Sequence, residues 1–187
     1  MYSLLIDSHS NELNIVIYKD RVVERKKGIV FSNQSKIIVS TIIETLREIN
    51  IDFKDLSEII VVNGPGSFTG VRLGVTVAKT ISYCLNIPIK SISTIKLLAI
   101  NVDDSSEYSI TISDQKGYYI GEFDSNKELI DYYFYINKQD FITYNNSHNI
   151  VDNINLDWNN VYKYNCLTEE DCYNIKPLYI KKIEVEK

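Results

Sequence analysis

The spacing of apolar residues changes character several times along this chain. Tyr2 to Asp7 is a nearly unbroken apolar run, which predicts a strand buried on both faces. Leu13 to Tyr18 and Arg21 to Glu24 predict two further strands joined by a tight turn at Lys19-Asp20. A helix then runs from 33 to 49, capped by Ser32 or Asn33. Ile38, Ile42, Leu46 and Ile49 share one face of it, and Ile37, Val39 and Ile43 widen the apolar surface. A strand at 58–62 leads through a glycine-rich turn into a helix over 68–86. A short strand at Ile87–Ile89 and a helix over Thr94–Val102 follow.

Asp103-Asp104-Ser105-Ser106 reads as a boundary, so the expected division is a lobe at 1–103 and a reduced lobe at 104–187. Beyond it, Tyr108–Ile112, Tyr118–Phe123 and Leu129–Ile136 predict a three-stranded sheet.

The turn at 63–74 holds four of the seven glycines. Free N–H groups at a helix N-terminus attract anions, so phosphate has to be considered. A P-loop requires Lys and Ser or Thr after its last glycine, but Gly70 precedes Val71-Arg72. A dinucleotide fingerprint fails as well, because Gly64, Gly66 and Gly70 are spaced too widely. The physical reading is a tight turn at Gly64, Pro65, Gly66 and Ser67 that lets a helix lie close to its strand, with Ser67 or Thr69 as N-cap. Gly70, Gly74, Ala78 and Ser82 then recur every four residues as a stripe of small side chains. Such a stripe admits either the protein's own strand or a second helix.

Candidate chemistry is sparse. His9 and His148 are the only histidines, and no H-x-x-x-H or H-E-x-x-H pattern occurs, which excludes a two-histidine metal site on one helix. Asp7 is the most prominent lone carboxylate, with a turn or capping role preferred to catalysis. The three cysteines have no zinc-ligand spacing and read as reduced thiols. Net charge is −5, which disfavours a dedicated nucleic-acid binder. Arg25-Lys26-Lys27 and Lys181-Lys182 read as solvated faces. With no leader-like start and no run long enough to span a membrane, the expected location is the cytoplasm.

The segment Gly64-Pro65-Gly66-Ser67-Phe68-Thr69-Gly70-Val71-Arg72-Leu73-Gly74 resembles the signature of the TsaB family, also called YeaZ. Leu4-Leu5-Ile6-Asp7-Ser8, Leu85-Asn86-Ile87-Pro88-Ile89, Ser91-Ile92-Ser93-Thr94-Ile95 and Lys176-Pro177-Leu178-Tyr179-Ile180-Lys181 agree in order and spacing. The resemblance is dense to residue 100 and thin from there to Asn174.

It implies an α/β, actin- and ribonuclease-H-like fold, with a β-β-β-α-β-α-β first lobe and a degenerate second one. It implies a non-catalytic subunit without a cofactor, supporting a TsaD-like catalytic subunit. That subunit adds threonylcarbamoyl to N6 of adenosine 37 of tRNA. A TsaE-like ATPase would join the pair, tRNA would bind only through the complex, and a homodimer is a further assembly.

The resemblance also implies docking through two helices, which selects Ser35, Ile38 and Ile42 on the first. On the second it selects Gly70, Val71, Gly74 and Ala78. Gln34-Ser35 stands where the family has His-Ser. Asp7-Ser8-His9-Ser10 lacks the glycine of an actin-like phosphate loop, and of the matching second-lobe motif only Asp114 is kept. The alternative is a stand-alone actin-fold nucleotide hydrolase or kinase.

Overall fold

The computed structural model describes residues 1–30, 33–104, 106–152 and 154–180. Strands β1 (Tyr2–Asp7), β2 (Glu12–Lys19) and β3 (Val22–Val30) form an antiparallel meander. The β2–β3 turn centres on Asp20 and Arg21, both at positive φ, one residue later than the sequence implied. After a 3₁₀ turn at Gln34–Lys36 comes α1 (Ile38–Glu48). Its expected cap is not formed: the Asn33 side chain caps nothing and instead accepts the Ser35 hydroxyl at 2.6 Å, while Ser32 lies outside the described residues. β4 (Leu56–Val62), α2 (Phe68–Leu85), β5 (Ile89–Ile92) and α3 (Thr94–Ala99) complete the expected order.

The remaining chain adds β6 (Tyr108–Ser113), β7 (Gly117–Phe123), β8 (Phe134–Asn137), α4 (Lys138–Asn145), β9 (Ile150–Val151), α5 (Asn160–Lys163) and β10 (Thr168–Glu170). Two sheets result, ordered β10-β5-β4-β1-β2-β3 and β8-β7-β6-β9. In the first, β1 pairs parallel with β4, and β4 with β5. Residues 104–187, expected as one lobe, therefore feed both sheets: β10 pairs antiparallel with the β5 edge.

Alternation along the strands explains the layers. Leu4 and Ile6 of β1 face one way, with Ile59 and Val61 of β4, and α1 and α2 cover them. Leu5, Val16, Tyr18, Ile60 and Val62 face the other way. That second face is covered by Leu97 of α3, by Ile100 just after it, and by Trp158 and Val161 from the far end of the chain. The opposite side of α3, Ile95 and Ala99, packs with Tyr108, Ile110 and Phe123 of the second sheet. Thus α3 lies between the two sheets and belongs to two cores.

The basic cluster after β2 is paired with the protein itself. Arg25 meets Glu48 at 2.5 Å, Lys27 meets Glu44 at 2.8 Å, and the Lys26 ammonium lies 5.5 Å from the Trp158 ring centre. Lys181 and Lys182 lie outside the described residues.

Candidate functional site

The glycine turn lies at the carboxyl end of β4, where open α/β sheets hold ligands. Gly64 sits at φ +101°, a conformation that side-chain-bearing residues rarely adopt, and its carbonyl accepts the Thr94 amide at 2.8 Å. The Gly64–Pro65 peptide is cis. Ser67 is the N-cap of α2 and accepts the Gly70 amide, so of the two expected caps it is Ser67 and not Thr69.

The space around this helix start is filled by the turn that follows β1. The Ser67 amide donates to the His9 carbonyl at 2.6 Å, and the Ser8 hydroxyl donates to the Gly70 carbonyl at 2.8 Å. A Cβ on Gly66 would run into the His9 carbonyl, one on Gly70 into the Ser8 carbonyl, and one on Gly74 into the Ser8 hydroxyl. The glycines are therefore a seat for Ser8-His9. Of the amides at this helix start, that of Ser67 is taken by the His9 carbonyl and that of Gly70 by the Ser67 side chain, so neither is left for a phosphate.

The positions expected to form a docking stripe lie mostly inside the fold of the single chain. Gly70 and Gly74 are buried against the end of β1 and its turn, and Ala78 is buried in the core over the sheet. Ile38 and Ile42 lie in the core over the sheet, and Val71 packs there too, against Gly64. Of the seven selected positions, only Ser35 is on the surface. A four-residue repeat shows that residues share a face, and here that face meets the sheet. The outward surface of α2 presents Phe68, 58% exposed, and Tyr83, 61% exposed; α1 presents Val39. Nothing in the sequence marked these over other apolar positions except that they fall between the buried ones.

Asp7 is fully buried. Its Oδ1 accepts the His9 amide at 3.1 Å and lies 2.6 Å from His9 Nδ1. Burial opposes a charged imidazole, but the Asp7 carboxylate, with Glu12 further away, outweighs it and holds the His9 pKa above its ordinary value. This oxygen thus organises the turn, in line with the turn role read from the sequence. Asp114 also serves a turn: its Oδ1 accepts the Lys116 and Gly117 amides and the Tyr135 hydroxyl. Burial pushes the Cys166 thiol up to about 11, far from a reactive thiolate. Among the described residues, no group of three or more His, Cys, Asp or Glu side chains is placed to hold a metal ion, and no helix is long and apolar enough to cross a membrane.

A mixed sheet opened by a β-β-β-α-β-α-β unit, with a smaller sheet packed across α3, defines an actin-like, ribonuclease-H-like protein. The family model of tRNA N6-adenosine threonylcarbamoyltransferase, TsaD, matches residues 13–113. The tRNA threonylcarbamoyladenosine biosynthesis protein TsaB of Bacillus subtilis is 37% identical over 102 residues, covering 54% of this chain and 44% of that protein. Its counterpart in Buchnera aphidicola subsp. Schizaphis graminum is 32% identical over 96 residues, 51% of this chain and 46% of that protein. The chain spans about half the length of the curated relatives it matches. The solved structure of YeaZ from Pseudomonas aeruginosa superposes with a TM-score of 0.77 at 13% identity, covering 95% of this chain and 100% of the other. The chain belongs to the TsaB family, also called YeaZ, within the group that the TsaD model describes.

Proposed function

We propose that this chain is a non-catalytic subunit of the machinery that makes N6-threonylcarbamoyladenosine in tRNA, and that it supports a TsaD-like catalytic subunit. A TsaE-like ATPase joins the pair, and tRNA reaches this chain only within the complex. The observation that carries the reading is the occupied start of α2. A helix start behind a glycine turn attracts anions, and here the Ser8-His9 turn, which itself lacks the glycine of a phosphate loop, lies against it and bonds to Ser67 and Gly70. That weighs against the alternative of a stand-alone nucleotide hydrolase or kinase.

The docking surface we assign is the outward side of α1 and α2, at Val39, Phe68 and Tyr83, together with Ser35. Three large apolar side chains about half exposed or more on one layer of helices are what a protein partner would cover. The division of the chain near residue 103 is retained as a proposal for where the first lobe closes.

The test is reconstitution with the TsaD-like and TsaE-like subunits of the same source. The chain alone should transfer no threonylcarbamoyl and turn over no ATP. Adding it should raise product formation by the TsaD-like subunit, and Phe68→Glu should abolish that gain while the melting temperature holds. Steady ATP hydrolysis by the purified chain, lost in Asp7→Asn, would favour the hydrolase reading instead.

A further inference from the structure

On the flank of α2 away from α1, the segment from Asp171 to Tyr179 runs alongside the helix and leaves an open groove of about 550 Å³. Val75, Ile175 and Pro177 are among its apolar lining. At one end Tyr83 and Tyr173 meet edge to face, with ring centres 5.7 Å apart. At the other, the Arg72 guanidinium lies 3.8 Å from the Phe68 ring centre and its Nε donates to the Tyr179 hydroxyl at 3.0 Å. Lys79 reaches over from α2 and donates to the Tyr173 carbonyl at 2.7 Å.

Two features separate this groove from the rest of the surface. Its rims hold exposed aromatics, with Tyr83 at 61%, Tyr173 at 68% and Tyr179 at 48%, the residue type that anchors protein contacts. Among the described residues that line it, the charged ones are the cations Arg72 and Lys79 and none is a carboxylate, in a chain of net charge −5. Each cation spends one donor on the segment beside it and keeps others for a guest: an ammonium has three and a guanidinium five.

We propose that the groove receives a segment of the protein partner in which an apolar side chain is flanked by carboxylates. The apolar side chain enters between Tyr83 and Tyr179, and the carboxylates meet Arg72 and Lys79. This rests on the partner-subunit reading above and extends the docking surface from the outward side of α2 to its far flank. The segment at 171–179 is then part of the binding surface, not only a cover for the core.

The experiment titrates the TsaD-like subunit against the wild-type chain and against Thr76→Trp and Lys79→Gln, by calorimetry at two salt concentrations. Thr76 is exposed on α2 and lines the groove, so Trp fills it from the surface. Gln at 79 removes the charge but keeps an N–H for the Tyr173 carbonyl. Both variants should keep the wild-type melting temperature and lose affinity by about tenfold or more. The Lys79→Gln complex should also depend less on salt than the wild-type one. If the wild type binds and both variants bind equally well, the groove proposal is overturned and the partner reading stands. If the wild type does not bind, both fall. If the variants instead weaken self-association and leave the TsaD-like subunit's affinity unchanged, the groove belongs to a second copy and the proposal is likewise overturned.

Discussion

The Ser8 hydroxyl donates to the Gly70 carbonyl across 2.8 Å, joining residues 62 positions apart in the buried interior. The family's most recognisable motif is thus a structural clasp, holding the end of β1 against the start of α2. In water two glycines near the start of a helix cost about 1 kcal/mol each relative to alanine. The close fit of Ser8-His9 is what offsets that.

Gly70→Ala should be the most damaging small substitution in the turn. Its new methyl group meets a backbone carbonyl that cannot rotate away. We expect a loss of about 3 kcal/mol or more in chemical denaturation. Gly74→Ala meets only the Ser8 hydroxyl and should cost about 1–3 kcal/mol. In a Ser8→Ala background that obstacle is gone, so the second substitution should then be nearly neutral. Equal costs in both backgrounds would mean that α2 does not lie against Ser8.

Stability should depend on pH through His9. Its folded pKa is raised, so the folded state binds the proton more tightly than the unfolded chain, whose pKa is near the ordinary histidine value of about 6.5. The resulting stabilisation is fully present below that unfolded value and is lost as pH rises through the folded one. His9→Asn should therefore narrow the stability difference between about pH 5.5 and pH 8.5, relative to wild type. Parallel profiles for the two proteins would contradict an ion pair with Asp7.

Residues 1–103 should not fold alone. The face carrying Leu5, Val16, Tyr18, Ile60 and Val62 is closed in part by Trp158 and Val161, and Tyr18 donates its hydroxyl to the Trp158 carbonyl at 3.0 Å. Trp158→Ala in the full chain should cost about 3–5 kcal/mol. The fragment should bind a hydrophobic dye and melt without cooperativity. A sharp melting transition for the fragment would show that α3 alone closes the second face.

Much of the first lobe could be read from sequence because its strands are long apolar runs and its helices carry clear periodicity. The side that a stripe faces could not. Small residues are needed wherever backbones approach, whether the neighbour is β1 or a foreign helix, and periodicity at Gly70, Gly74 and Ala78 is the same in both cases. The returning tail was unreadable for another reason. Thr168-Glu169-Glu170 has no apolar alternation, because an edge strand needs only its backbone to pair with Ser91, Lys90 and Ile89. Helix α4 was missed because it buries no residue fully. It holds to the second sheet by rings at its side, Phe141 on Tyr118 with centres 3.6 Å apart, and Tyr144 against Phe134 at 5.9 Å.

Many two-lobed proteins work by opening and closing a cleft about a hinge. Here the chain's last described stretch works against that. Ile175 is embedded in the core under α2, the Leu178 amide donates to the Asn63 carbonyl at 2.8 Å, and Ile180 packs against the core of the second sheet. Swinging one sheet away from the other would have to break that bond and pull Ile180 free. The tail thus works as a tie between the two sheets, and a hinge motion between them would have to give up those contacts.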